Sequence, residues 1–164
     1  MAFSTNRISI ESRRAADPVA ARAVAVGLLA RRDFASGELR DRLERGGFEA
    51  ATAAAAVAAL IEERAVNDAR YAENYVSHHA ERGKGPVRIA ADLKERGVSK
   101  ELIDTALAGS PDWGSRAREL RIRKFGPDSP SDWTEKARQA RFLQYRGFSS
   151  DHIRSVLGAD FDVD

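Results

Sequence analysis

Cysteine is absent from this 164-residue chain. That excludes a disulfide scaffold, an iron–sulfur site, a cysteine-ligated zinc and a thiol nucleophile. Long apolar runs are absent as well. The longest apolar-rich stretch, residues 50–61, is mostly alanine and falls well short of the ~20 residues that cross a bilayer. The opening MAFSTNRISIESRR holds no continuous apolar region, so no secretory signal is expected. Histidine is scarce: His78 and His79 are neighbours, His152 stands alone. Adjacent side chains point ~100° apart on a helix and do not chelate as an i,i+4 pair does. No G-x-S-x-G, H-E-x-x-H or P-loop motif occurs. These absences predict a cofactor-free, metal-free, non-enzymatic protein of the cytoplasm without a membrane partner; a monomer is expected.

Bulky apolar residues are also thin. Leu, Ile, Val and Phe number 35, against 29 alanines. That predicts many slender helix–helix contacts through alanine instead of one large core. The net charge of +2 excludes a histone-like polycation that grips nucleic acid by bulk charge. No segment sustains period-two alternation, so no strands are expected.

What is present is a repeat. Leu43-Glu44-Arg45-Gly46-Gly47-Phe48 matches Leu93-Lys94-Glu95-Arg96-Gly97-Val98 and Leu143-Gln144-Tyr145-Arg146-Gly147-Phe148. The glycines Gly47, Gly97 and Gly147 lie 50 residues apart each time. Upstream, Leu39 and Ile89 agree but the third copy has Gln139. Each copy reads as three helices. Asp17 before Pro18 predicts a capped helix to about Arg32 with Val24, Leu28 and Leu29 on its buried stripe. Ser36 is the predicted cap of the next, ended at Gly46-Gly47. Asn67 or Asp68, Ser99, Asp112, Asp132 (with Glu135 as a capping box) and Ser149 open further helices. The expected fold is all-α: an elongated array of three tandem three-helix repeats, 17–66, 67–111 and 112–158, between a flexible N-terminal tail (1–16) and an acidic C-terminal tail (159–164).

The charge is uneven. Residues 113–146 carry nine basic and four acidic side chains, net +5, and residues 147–164 are net −3. Arg116, Arg121, Arg123 and Lys124 precede the loop between the seventh and eighth helices; Lys136, Arg138, Arg141 and Arg146 follow it. They form either one patch for phosphates or an acidic protein groove, or two solvated helix faces. The turn Gly83-Lys84-Gly85-Pro86 is a second candidate. Its amides, Lys84 and Arg88 in the next helical turn suit an anion, but a plain interhelical turn needs the same glycines. Trp113, Trp133, Phe142 and Phe148 are expected in the core.

Several blocks resemble the RecX family of bacterial regulatory proteins. They are Asn67-Asp68-x-Arg70-Tyr71-Ala72-x3-Val76, Gly83-Lys84-Gly85-Pro86-x2-Ile89-x3-Leu93-x3-Gly97-Val98, Lys124-Phe125-Gly126, and Glu135-Lys136-x-Arg138-x3-Phe142-Leu143-x2-Arg146-Gly147-Phe148. Order and spacing hold from about residue 20 to 158. The resemblance implies tandem three-helix repeats that bind the RecA–DNA filament. It implies a seat in the filament groove, bridging neighbouring protomers. It also implies modulation, mainly inhibition, of recombinase, ATPase and coprotease activities in recombination and the SOS response. Some members bind DNA, so single- or double-stranded DNA is a further expected partner. The alternative reading is a helical-repeat DNA-binding module that acts on nucleic acid directly.

Overall fold

The computed structural model describes residues 13–109 and 112–158. Nine complete helices lie among them: α1 (Pro18–Leu29), α2 (Ser36–Arg45), α3 (Ala50–Glu62), α4 (Asp68–Glu81), α5 (Pro86–Glu95), α6 (Lys100–Ala108), α7 (Trp113–Phe125), α8 (Trp133–Arg146) and α9 (Ser150–Leu157). No strand occurs among the described residues, and none of the described helices is long and apolar enough to cross a membrane. The fold is all-α, in threes. The tail expected at 1–16 lies outside the described residues as far as Ser12. Residues 13–15 are helical, and the Ala15 carbonyl accepts a hydrogen bond from Glu49 N–H. The acidic tail at 159–164 lies wholly outside them.

The repeat is written in backbone conformation. Gly47, Gly97 and Gly147 close α2, α5 and α8 with φ of 96°, 79° and 93°. Only glycine adopts that left-handed region without strain. Behind the first and third of them, the Phe48 and Phe148 amides reach back to the carbonyls of Leu43 and Leu143, which caps the helix ends with a six-residue hydrogen-bonded ring. Leu43, Leu93 and Leu143 are completely buried, as are Leu39 and Ile89.

The chain forms two compact units. Among the described residues, one comprises 13–71 with Arg96–Val98; the other comprises Ala72–Glu95 with those from Ser99 to 158. In the first unit, Ala21 and Ala25 of α1 pack with Ala53, Ala56, Val57 and Leu60 of α3 over Leu39 and Leu43 of α2. In the second, Ala117 and Leu120 of α7 join Ala140 and Leu143 of α8 and Ile153 and Leu157 of α9. Small side chains let helix axes approach closely, as the alanine content predicts.

Two local expectations are corrected. Val24 is not in the buried stripe of α1; it is 37% exposed, and Leu28 and Leu29 are only partly buried. The contact with α3 passes through alanines, so the valines turn outward, and α1 stops at Leu29. Ser36 is not a cap. Ala35 holds that position without a side-chain bond, and Ser36 begins the helix. Both its N–H and its hydroxyl donate to Asp68, at 2.7 and 2.5 Å. A carboxylate from elsewhere in the fold thus satisfies the first turn and meets the helix dipole. The other caps follow local rules: Asp17, Asn67, Ser99, Asp112, Asp132 and Ser149 each accept an amide of the turn that follows.

Candidate partner-binding surface

The two motif blocks meet. Gly85 N–H donates to the Arg146 carbonyl at 2.7 Å, and Val87 N–H to that of Gly147 at 3.0 Å. In return Arg146 Nε donates to the Gly83 carbonyl at 3.0 Å, and its terminal nitrogen donates to that of Arg82. Arg88 donates to the Tyr145 carbonyl at 3.3 Å, with its guanidinium 5.6 Å from the Tyr145 ring centre. The amides that suited an anion are therefore used by the chain's own α8 terminus. A Cβ on Gly85 would lie 2.2 Å from the Gly147 carbonyl carbon. A comparable approach brings Glu38 N–H to the Arg96 carbonyl at 3.1 Å, across a gap that only Gly37 fits.

Lys84 turns from the anion-site reading too. Its ammonium lies 2.7 Å from Asp92 Oδ2, which also accepts the Tyr75 hydroxyl at 3.1 Å. The Tyr75 ring centre is 4.0 Å from that of His79. Burial first, then Lys84 and His78, push the His79 imidazolium below the usual histidine value of 6.5, against a smaller opposing pull from Asp92. A proton then favours the unfolded chain, so stability falls as pH drops through about 6.5. Asp112 and Glu135 are held below the ordinary carboxylate range, Asp112 by Ser115 and the Gly114 amide, Glu135 by Arg138 and Gln139. Their stabilisation is lost only at more acid pH. Between about pH 7 and pH 5.5 the drop in Tm is expected to shrink in His79→Gln. Thermal unfolding at both pH values checks this, and an unchanged drop would assign the slope elsewhere.

In the third repeat the basic residues part company. Arg123, Lys124 and Arg141 are exposed. Arg138 is exposed, paired with Glu135 at 2.8 Å, and its guanidinium sits 5.1 Å over the Phe125 ring. Lys136 is half-buried. Arg116 is half-buried and lines a groove. Arg121 departs from the expected patch: it is buried, Nε donates to Gln139 Oε1 at 2.8 Å, and a terminal nitrogen donates to the Asp128 carbonyl. Gln139 in turn donates to Glu135 at 2.9 Å. The third copy, which has Gln139 where the others have Leu39 and Ile89, thus uses that buried glutamine to hold the buried Arg121.

Trp133 is corrected as well. It is 60% exposed, not in the core: it shares a helix face with the buried Ala140 seven residues on, but as the first residue of α8 it stands almost two turns before the buried Gln139, Ala140 and Leu143. Tyr145, in the third repeat block, is 74% exposed. Phe148 is buried; Trp113 and Phe142 pack partly buried against the core.

Comparison with known proteins decides the lineage. Three family models match in order: the RecX first three-helix domain at residues 21–60, the second at 67–107 and the third at 115–157. The chain belongs to the RecX family. Among RecX relatives, the regulatory protein RecX of Halorhodospira halophila is 43% identical over 141 residues, covering 85% of this chain and 88% of that one. That of Pseudomonas savastanoi is 42% identical over 141 residues, covering 85% and 91%. The crystal structure of RecX from Lactobacillus salivarius shares the fold, with a TM-score of 0.73 at 22% identity over 85% of this chain and 94% of that one. Both curated relatives carry the name of a regulatory protein, not that of an enzyme.

Proposed function

We propose that this chain binds the RecA–DNA filament in its helical groove and modulates, mainly by inhibition, recombinase, ATPase and coprotease activities. The observation that carries the reading is the match of all three RecX domains in order along one chain. The mode of action is occupancy. A chain held across neighbouring protomers restricts their relative movement and turnover, and it obstructs any substrate that needs the groove. No covalent step is required.

The surface assigned to this contact is the exposed set Arg123, Lys124 and Arg141, with Arg138 exposed beside them but paired to Glu135. Lys84, Arg88, Arg121 and Arg146 are occupied by bonds inside the chain and support the fold instead. Exposed cations steer association and set its salt dependence more than they set stability.

The test compares binding to naked single-stranded DNA and to RecA-coated DNA over a range of salt. The wild-type chain is expected to prefer the coated form. The triple variant Arg123→Glu, Lys124→Glu, Arg141→Glu is expected to lose on the order of tenfold in affinity, about 1.4 kcal/mol, while keeping its Tm. Equal affinity for naked DNA with a steep salt slope would favour direct action on nucleic acid. Undiminished filament binding by the folded variant would move the contact off this surface.

A further inference from the structure

Tyr145 is the most exposed aromatic among the described residues, and the surface assigned to the filament does not include it. It stands at the end of α8, which is held firmly. Arg88 donates to the Tyr145 carbonyl, and its guanidinium lies 5.6 Å from the ring centre. Arg146, the next residue, donates to the carbonyls of Arg82 and Gly83. A ring on a backbone fixed in this way is ordered before any partner arrives, so binding to it costs little conformational entropy.

Two further arginines, Arg82 and Arg141, are exposed near it. Arg141 precedes Tyr145 by four residues on the same face of α8, about 6 Å along the axis. Its Nε donates to the Ala137 carbonyl at 3.4 Å, which leaves the terminal nitrogens for a partner. Arg82 lies at the same end of α8, because its carbonyl accepts the Arg146 bond. None of Arg82, Arg88, Arg141 and Arg146 forms a salt bridge among the described residues. Four arginines thus gather about one open ring without an acid to balance them.

That combination has a chemical complement. Uncompensated guanidinium groups call for anions, and an open ring calls for a flat apolar face. A single-stranded nucleic acid carries both, phosphates along its backbone and unpaired bases between them. A duplex stacks its base faces on one another and closes them to the ring. A run of carboxylates would use the arginines and leave the ring idle. We propose that Tyr145 is a stacking platform for a base of a single strand, with Arg82 and Arg141 on the neighbouring phosphates and Arg88 holding the ring in place. The contact is with the strand and needs no recombinase, so its failure would leave the filament reading standing.

The test is fluorescence anisotropy of the full chain with labelled oligothymidylate, an abasic strand of the same length and charge, and a duplex, with polyglutamate as competitor. The wild-type chain is expected to bind oligothymidylate roughly tenfold more tightly than the abasic strand, the order of effect that one base–aromatic stack supplies. Tyr145→Ala should lose that tenfold preference with its abasic affinity unchanged, and Tyr145→Trp should keep it. The ring is exposed and Arg88 bonds to the main-chain carbonyl, so Tyr145→Ala is expected to retain the wild-type Tm. Arg82→Ala and Arg141→Ala should weaken both strands alike and each lower the slope of log affinity against log salt by about 0.7. Equal wild-type affinity for the thymidylate and abasic strands would overturn the proposal. So would undiminished oligothymidylate binding by folded Tyr145→Ala, or tighter binding of the duplex. Polyglutamate competing as well as oligothymidylate at equal charge would assign the arginines to an acidic polypeptide instead.

Discussion

Gly85→Ala is expected to lower the Tm by about 6–12 °C, the equivalent of roughly 3 kcal/mol in a chain of this size. The new methyl would sit 2.2, 2.3 and 2.4 Å from the Gly147 carbonyl carbon, its oxygen and the Phe148 nitrogen. All three are main-chain atoms, so none can swing aside as a side-chain tip would. Moving them breaks the bonds from Gly85 N–H to Arg146 and from Val87 N–H to Gly147. Gly147 itself needs its left-handed φ of 93° and already lies against Arg88, so the α8 terminus has little room to yield. Gly27→Ala supplies the control. Nothing lies within 4 Å of its Cβ position and the residue is helical; alanine there is expected to stabilise by about 0.5–1 kcal/mol. Thermal unfolding by circular dichroism separates the two. A Gly85→Ala Tm within about a degree of wild type would mean the two segments are not in contact.

Arg121→Glu is expected to destabilise by about 3–5 kcal/mol, although it looks like any other charge reversal in a basic block. The new carboxylate would face two acceptors, Gln139 Oε1 and the Asp128 carbonyl. If Gln139 turns its amide over to donate to that carboxylate, its oxygen then faces Glu135, which now accepts from it. The Asp128 carbonyl still opposes the carboxylate, so two repulsions remain in either orientation. Arg123→Glu, two residues along and exposed, is expected to change stability by less than about 0.5 kcal/mol. The double change Arg121→Leu, Gln139→Leu restores the apolar pattern of Leu39 and Ile89, and is expected to be near neutral or stabilising. Chemical denaturation of the three variants measures this directly. A stable Arg121→Glu protein would place Arg121 on the surface with its neighbours.

These cases show where the sequence was legible. Rules that act within one turn held: Asp17, Ser99, Asp112, Asp132 and Ser149 cap the helices they precede. The 50-residue glycine period was visible because a left-handed helix end excludes other residues. Contacts across long stretches of chain were not. Ser36 looked like a cap because its partner, Asp68, lies 32 residues on. The Gly83–Pro86 turn left an anion site open beside a plain interhelical turn, because the α8 terminus that fills it is about 60 residues away. Arg121 looked like surface because burial of a charge depends on a partner elsewhere. Here the partner was signalled only by a glutamine in a leucine position. Trp133 and Tyr145 show the remaining limit: aromatic content states what can be buried, and neighbouring helices decide what is.

The most direct measurement is cryo-electron microscopy of RecA–DNA filaments at saturating concentrations of this chain, paired with RecA ATPase turnover. The account predicts added helical density in the groove, in contact with more than one protomer, and reduced ATP hydrolysis. Bare filaments with unaltered turnover would contradict it.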